Sequence, residues 1–216
     1  MVIGLKFPTI LAFDTSGPAC AACLLFRGAS TVRVDEMAKG QAEHLMPMLE
    51  DMLSEANLTW GDLDGIGVGV GPGNFTGIRI AVSAARGLAL GLGKTAVGVS
   101  SLDALVIDQP GAIACLTAPR ERAYIQTPTG AALCNLIPDD MPPYNAKSEP
   151  VLVGSAADAV AQLLSLPTAN PKMPMIEAIA HLAARRLHST KTAPAPMYLR
   201  AADAAPARDA PPVILS

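Results

Sequence analysis

Residues 69–79, which read Gly-Val-Gly-Pro-Gly-Asn-Phe-Thr-Gly-Ile-Arg, constrain this chain more than any other stretch. Gly69, Gly71, Pro72 and Gly73 interrupt the apolar run 63–70, which reads as a buried strand, and residues 76–92 then take up a helical apolar period. The chain must therefore pass from strand through a tight turn into a helix, with Asn74 or Thr76 placed to cap it. Such a turn can aim backbone N–H groups at an anion, or it can let helix and sheet approach closely. It lacks the lysine and Ser/Thr of a P-loop, and its glycines do not fall at dinucleotide-binding spacing. The residues alone leave both readings open.

The helix that follows carries two apolar stripes. Gly77, Ala81, Ala84, Leu88 and Gly91 form a row of mostly small residues, and Ile78, Val82, Ala85, Ala89 and Leu92 form a second. Arg79, Ser83 and Arg86 make up the polar row. Two apolar faces need two covering surfaces: one is expected to pack on the chain's own sheet, and the other either to meet another protein or to be buried within this chain as well. A second amphipathic helix at 41–56, with Leu45, Met48, Leu49, Met52 and Leu53 at helical steps, is expected to contribute to the same patch. Pro47 lies in its first turns and is expected to shift its start or kink it. Charging the patch, as in Val82→Asp or Ala85→Glu, is then expected to break association while sparing the fold.

Upstream, residues 9–13, 19–26 and 29–37 read as three antiparallel strands joined by Asp14-Thr15-Ser16-Gly17-Pro18 and Arg27-Gly28. After the helix 76–92 come a strand at 96–99 and a helical segment opening at Ser100. The second half is weaker: strands at 113–116, 124–127 and 151–153, a proline-rich loop at 138–150, helices at 156–166 and 174–188, and an Ala/Pro-rich tail after Pro194 that reads as extended or mobile. A boundary near Asp108-Gln109-Pro110-Gly111 divides the chain into an N-terminal domain, 1–108, and a smaller C-terminal domain, 109–216. Three antiparallel strands followed by helix, strand, helix and strand is the α/β order of an actin-like, ribonuclease-H-like half, though an ordinary doubly wound sheet fits the pattern nearly as well.

A 50% apolar content supplies a substantial core, and a net charge of -3 argues against direct phosphate neutralisation along a nucleic acid. Any RNA is expected to be held by a partner. Cys20 and Cys23 have the spacing of half a zinc site, but they stand three apart in a strand and so on opposite faces, which predicts core thiols. The apolar run 9–13 is too short for a signal peptide or membrane span, and residence in the cytoplasm is the expectation.

Asp14, Thr15 and Ser16 end the first strand, where a carboxylate and two hydroxyls could take magnesium or phosphate oxygens, or simply shape the turn. With Gly71, Gly73 and Asn74 they form the candidate phosphate or nucleotide loop.

Ile-Leu-Ala-Phe-Asp-Thr-Ser at 10–16, Leu-Met-Pro-Met-Leu at 45–49, the stretch 71–79 with Gly87-Leu88-Ala89, Gly-Val-Ser-Ser-Leu at 98–102, and Pro-Met-Tyr-Leu-Arg at 196–200 together resemble the bacterial TsaB (YeaZ) family. The resemblance is strong over 9–105, and it returns at 118–124 and near the C-terminus. It implies a two-domain actin-like fold and a part in making the N6-threonylcarbamoyl group on adenosine 37 of tRNA. In that family the protein does not carry out the transfer. It dimerises through N-terminal-domain helices with the catalytic relative TsaD, and the ATPase TsaE joins them. The resemblance implies no catalytic residue, metal or cofactor held by this chain alone, ATP and magnesium being used by the complex, and a homodimer when the chain is alone. Carried onto this sequence, the interface comprises Gln41, His44, Leu45, Met48 and Met52 on one helix and Ile78, Val82, Ala85, Arg86 and Ala89 on the other. The catalytic relative's metal-binding histidine pair is missing, with Gln41 and His44 in that region. The family's Asp-Ala-Arg stretch reads Thr117-Ala118-Pro119-Arg120 here, without the carboxylate.

Two other classes compete. An actin-like phosphotransferase needs a second acidic, glycine-rich phosphate loop, and none is recognisable in the second half. A metallopeptidase would have to use His44, His181 or His188, but no glutamate accompanies them in zincin spacing.

Overall fold

The computed structural model describes residues 7–199, arranged around two five-stranded mixed sheets. In the first, β1 (Ile10–Asp14), β2 (Ala19–Phe26) and β3 (Ala29–Glu36) are antiparallel, and β4 (Gly65–Gly69) and β5 (Thr95–Val99) add in parallel beside β1, giving the order β3-β2-β1-β4-β5. The second repeats this: β6 (Ile113–Ala118), β7 (Arg122–Thr127) and β8 (Gly130–Asn135) are antiparallel, and β9 (Leu152–Val153) and β10 (Thr168–Ala169) run parallel to β6. The actin-like order is thus present twice, and a doubly wound sheet is excluded by the antiparallel strands that open each half.

Helices α1 (Gln41–Glu55) and α2 (Phe75–Leu92) cover one face of the first sheet. The helix α1 runs through Pro47, whose ring stands on the exposed side, so neither a shifted start nor an interruption is observed. At the start of α2 the Asn74 carboxamide accepts a hydrogen bond from the Gly77 N–H at 2.9 Å, and at its end left-handed Gly93 lets the Lys94 N–H reach the Ala89 carbonyl at 3.0 Å. Cys20 faces the α1–α2 layer and Cys23 the other, as strand alternation demands. All four thiols are free and enclosed, and burial pushes those of Cys23 and Cys115 up to about 12.

The opposite face of the first sheet is covered by α5 (Met175–Arg186), whose Ile176, Ile179, Leu182 and Ala183 pack with Ile10, Ala12, Val97 and Val99. This helix lies beyond the expected division near residue 108. A helix in the last fifth of the chain packs on the first sheet, covering the apolar face of β1, β4 and β5 opposite α2. The short α3 (Ser101–Leu105) follows β5, and its Asp103 carboxylate accepts from Arg186 of α5 at 2.9 Å and from Gln126 of β7 at 2.8 Å, joining the halves.

The proline-rich segment expected as loop holds two 3-10 turns, Pro138–Asp140 and Ala146–Ser148, where the first half has α1. Strands β8 and β10 were not anticipated; α4 (Ala157–Leu164) lies between β9 and β10. The tail also differs from expectation as far as Leu199. Pro194 is buried against Gly98, the Met197 N–H donates to the Val70 carbonyl at 2.8 Å, and Tyr198 stacks on Phe75 with ring centroids 4.7 Å apart. Residues 1–6 and 200–216, including Arg200 of the tail motif, lie outside the described residues.

Candidate functional site: a self-filled glycine turn and the surface of two helices

The turn between β4 and α2 brings the predicted loop residues together as a closed set. The Ser16 N–H and hydroxyl both donate to the Asp14 carboxylate, at 2.6 and 3.0 Å. The Thr15 hydroxyl is buried and donates to the Gly77 carbonyl at 2.6 Å, while the Asn74 N–H donates to the Ser16 carbonyl at 2.8 Å. Burial drives the Asp14 carboxyl above the ordinary carboxylate range, against the opposing pull of the hydrogen bonds from Ser16.

The glycines are required by space. A Cβ at Gly77 would land on the Thr15 carbonyl oxygen, one at Gly73 would sit 2.8 Å from the Ser16 Cβ and carbonyl oxygen, and one at Gly69 would strike the Asp14 carboxyl. Gly71, at φ +93°, precedes Pro72 across a cis peptide bond. Between the two readings the sequence left open, the observed contacts belong to close approach of helix to sheet: the hydrogen-bonding capacity of Asp14, Thr15 and Asn74 is directed into the turn itself.

The corresponding point of the second half is built from hydroxyls. At the end of β6 the Thr117 N–H donates to the Ser155 Oγ at 2.9 Å, with the two hydroxyls 3.0 Å apart, and left-handed Gly154 lies against the Cys115 carbonyl. Among the described residues no three His, Cys, Asp or Glu side chains are grouped as metal ligands. His44 is paired with Asp35 at 2.7 Å, and His181 lies 4.0 Å from Glu177.

The helix surface is where the structure departs most from the sequence reading. Leu45, Met48, Met52, Ile78, Val82 and Ala85 were expected at a partner interface, yet each is no more than 3% exposed and belongs to the core between these helices and the sheet. Both stripes of α2 begin inside: Gly77 and Ala81 of the small-residue row are as enclosed as Ile78 and Val82. The reason is that α2 lies across β4 and beside α1, so its own sheet and neighbour cover more than one row. The helix α2 has the length and composition to cross a membrane, and its packing on the sheet and α1 buries only 28% of it. Gln41 is half-buried and reaches the Gly17 carbonyl at 3.3 Å; Ala89 is half-buried, and of the ten residues Arg86 alone is fully exposed.

The outward ridge of α2 instead presents Ser83, Gly87 and Leu90, with Ile80 and Ala84 half-buried at its margin against the core, Gly91 beside it and Arg79 and Arg86 on the other side. Gly87 and Gly91 open onto empty space, and Leu90 is 86% exposed. The outward ridge of α1 is acidic, with Glu43, Glu50 and Asp51 around Pro47. Arg79 lies over the Phe75 ring at 3.9 Å and donates to the Tyr198 hydroxyl at 3.0 Å, so the tail is clamped to the same helix. Helical periodicity found the helices, but it could not tell which apolar row the sheet would take.

Comparison with known proteins agrees with this architecture. Residues 35–134, which include both helices, match the family model of TsaD, tRNA N6-adenosine threonylcarbamoyltransferase. An uncharacterized protein of Mycobacterium tuberculosis is 35% identical over 209 residues, covering 93% of this chain and 96% of that protein. The tRNA threonylcarbamoyladenosine biosynthesis protein TsaB of Haemophilus influenzae is 37% identical over 98 residues, 45% of this chain and 41% of its own length. A Pseudomonas aeruginosa protein solved for its similarity to the peptidase YeaZ superposes with a TM-score of 0.69 at 25% identity, over 89% of this chain and all of that one.

Proposed function

Because this chain belongs to the TsaB family, we propose that it is a non-catalytic subunit in synthesis of N6-threonylcarbamoyladenosine in tRNA, pairing with a TsaD-like transferase in the cytoplasm through the outward ridges of α1 and α2. The observation that carries this reading is the contrast between the two candidate sites. The carboxylate at the glycine turn, Asp14, is half-buried and accepts both the N–H and the hydroxyl of Ser16, while Leu90 and the bare backbone of Gly87 and Gly91 stand on the surface. Small residues let a partner's backbone approach closely, and a large apolar side chain surrounded by them can serve as an anchor. In this arrangement a TsaE-like ATPase completes the complex, ATP and magnesium are used there, tRNA is held by the assembly, and the chain alone forms a homodimer through the same ridge.

The test is reconstitution with the TsaD-like subunit of the same organism. Modification of tRNA should require this chain, and Asp14→Asn should support it as well as wild type does. Turnover by the isolated chain, or loss of modification with Asp14→Asn while partner binding persists, would show that the chain contributes chemistry.

A further inference from the structure

Where α2 ends, the returning tail makes a cleft of about 620 Å3. One wall is α2 and its cap, carrying Arg86, Leu90 and Lys94; the other is the strap 190–194, carrying Lys191 and Pro194. The strap is fixed at both ends. The Thr190 N–H and hydroxyl bond to the Arg186 carbonyl at 3.0 and 2.9 Å, and beyond Pro194 the Met197 and Tyr198 contacts hold it to the first half.

The lining is one-sided in charge. Arg86, Lys94 and Lys191 face the cleft with no acidic side chain among its lining residues, in a chain whose net charge is -3. None of the three forms a salt bridge among the described residues. Asp62, which lies within the field of Lys94, is itself held by the Thr59 N–H and hydroxyl at 2.8 and 2.7 Å. A neighbouring cleft of about 530 Å3 does contain a carboxylate, Asp64, already bonded to the Thr9 N–H.

We propose that this cleft receives a short acidic and apolar segment of the TsaD-like partner, its carboxylates meeting Arg86, Lys94 and Lys191 and an apolar side chain resting on Leu90 and Pro194. The inference rests on the partner reading above and deepens it. Two features of the cleft select this occupant. Three unpaired cations call for carboxylates rather than an apolar filler, and Arg86 and Leu90 belong both to the cleft and to the ridge of α2, so a protein seated on the ridge extends into the cleft. The volume suits a few residues or a small anchor rather than a domain.

The experiment measures affinity for the TsaD-like subunit by calorimetry over a range of salt, for wild type, Lys94→Glu/Lys191→Glu and Gly87→Trp. Charge reversal is expected to weaken binding about tenfold or more at low salt, with the difference shrinking as salt rises. Tyr198→Ala, which frees the strap, should weaken binding in the same direction. If Gly87→Trp abolishes binding while the double reversal leaves affinity and salt dependence unchanged, the cleft proposal fails and the partner reading stands. If wild type does not bind the subunit at all, the partner reading fails. If the reversal leaves the subunit's affinity intact but shifts the sedimentation of the chain alone from dimer to monomer, the occupant is a second copy and the proposal is overturned.

Discussion

The two halves of this protein share one strand order and differ in almost everything attached to it. In the first, β1 ends in a carboxylate, a glycine turn leads into an 18-residue helix, and helices cover both faces. In the second, the equivalent strand carries Thr117 next to its end, the helix after β9 has eight residues, and 3-10 turns stand in place of α1. Even the helix that follows β10 is given over to the first sheet. The repeat therefore sets the framework, and the helical layer of the first half is where the partner surface is proposed. Within that layer a further contrast matters: one side of α2 is core and the other is ridge.

The largest effect should come from charging the core side. Val82→Asp places a carboxylate in an enclosed apolar site and should cost on the order of 3–5 kcal/mol, a large share of a typical domain's stability. Leu90→Asp, two turns on and outward, should stay within about 0.5 kcal/mol. Urea denaturation of the pair separates the faces, and equal losses would show that the ridge is also structural. The sequence reading that Val82→Asp spares the fold is thereby reversed.

Next come the glycines of the same helix. Gly77→Ala drives a methyl into the Thr15 carbonyl and should destabilise by about 1–3 kcal/mol. Gly87→Ala meets no atom within 4 Å and should instead stabilise by up to about 1 kcal/mol through helix propensity. Thermal melts of the two variants should move in opposite directions.

The smallest effect distinguishes the two strand ends by pH. Burial raises the Asp14 pKa, so its neutral form is favoured by folding. That contribution is complete below the ordinary carboxylate value and is lost as pH rises through the raised one. Asp14→Asn should remove this dependence, gaining on wild type across that interval and matching it at more acid pH. Thr117→Val in the second half should leave the pH profile unchanged. Stability measured across pH for both variants checks the sign.

Much of the first half was legible in the sequence because each signal there has a single physical outcome. Alternation placed Cys20 and Cys23 on opposite faces, the two-residue turn Arg27-Gly28 closed β2 onto β3, and residues 69–79 could only be strand, turn and helix. The second half was harder for equally local reasons. β9 and β10 have two residues each, too few for a period, and β8 has only one fully buried side chain. The destination of α5 depends on contacts 80 to 170 residues away in sequence, which no window of residues contains. The same limit governed the interface. Period 3.6 shows that Ile78, Val82 and Ala85 share a face, whereas their burial follows from where β4 and α1 lie.

The central claim is that the outward ridge of α2 is the partner surface, and one measurement addresses it directly: titration of the TsaD-like subunit with Gly87→Trp by calorimetry, alongside wild type. Space around Gly87 is open, so the variant should fold with an unchanged melting profile, yet affinity should drop by about 100-fold or more, roughly 2.7 kcal/mol. Wild-type affinity in a folded Gly87→Trp protein would place the partner elsewhere and contradict the account.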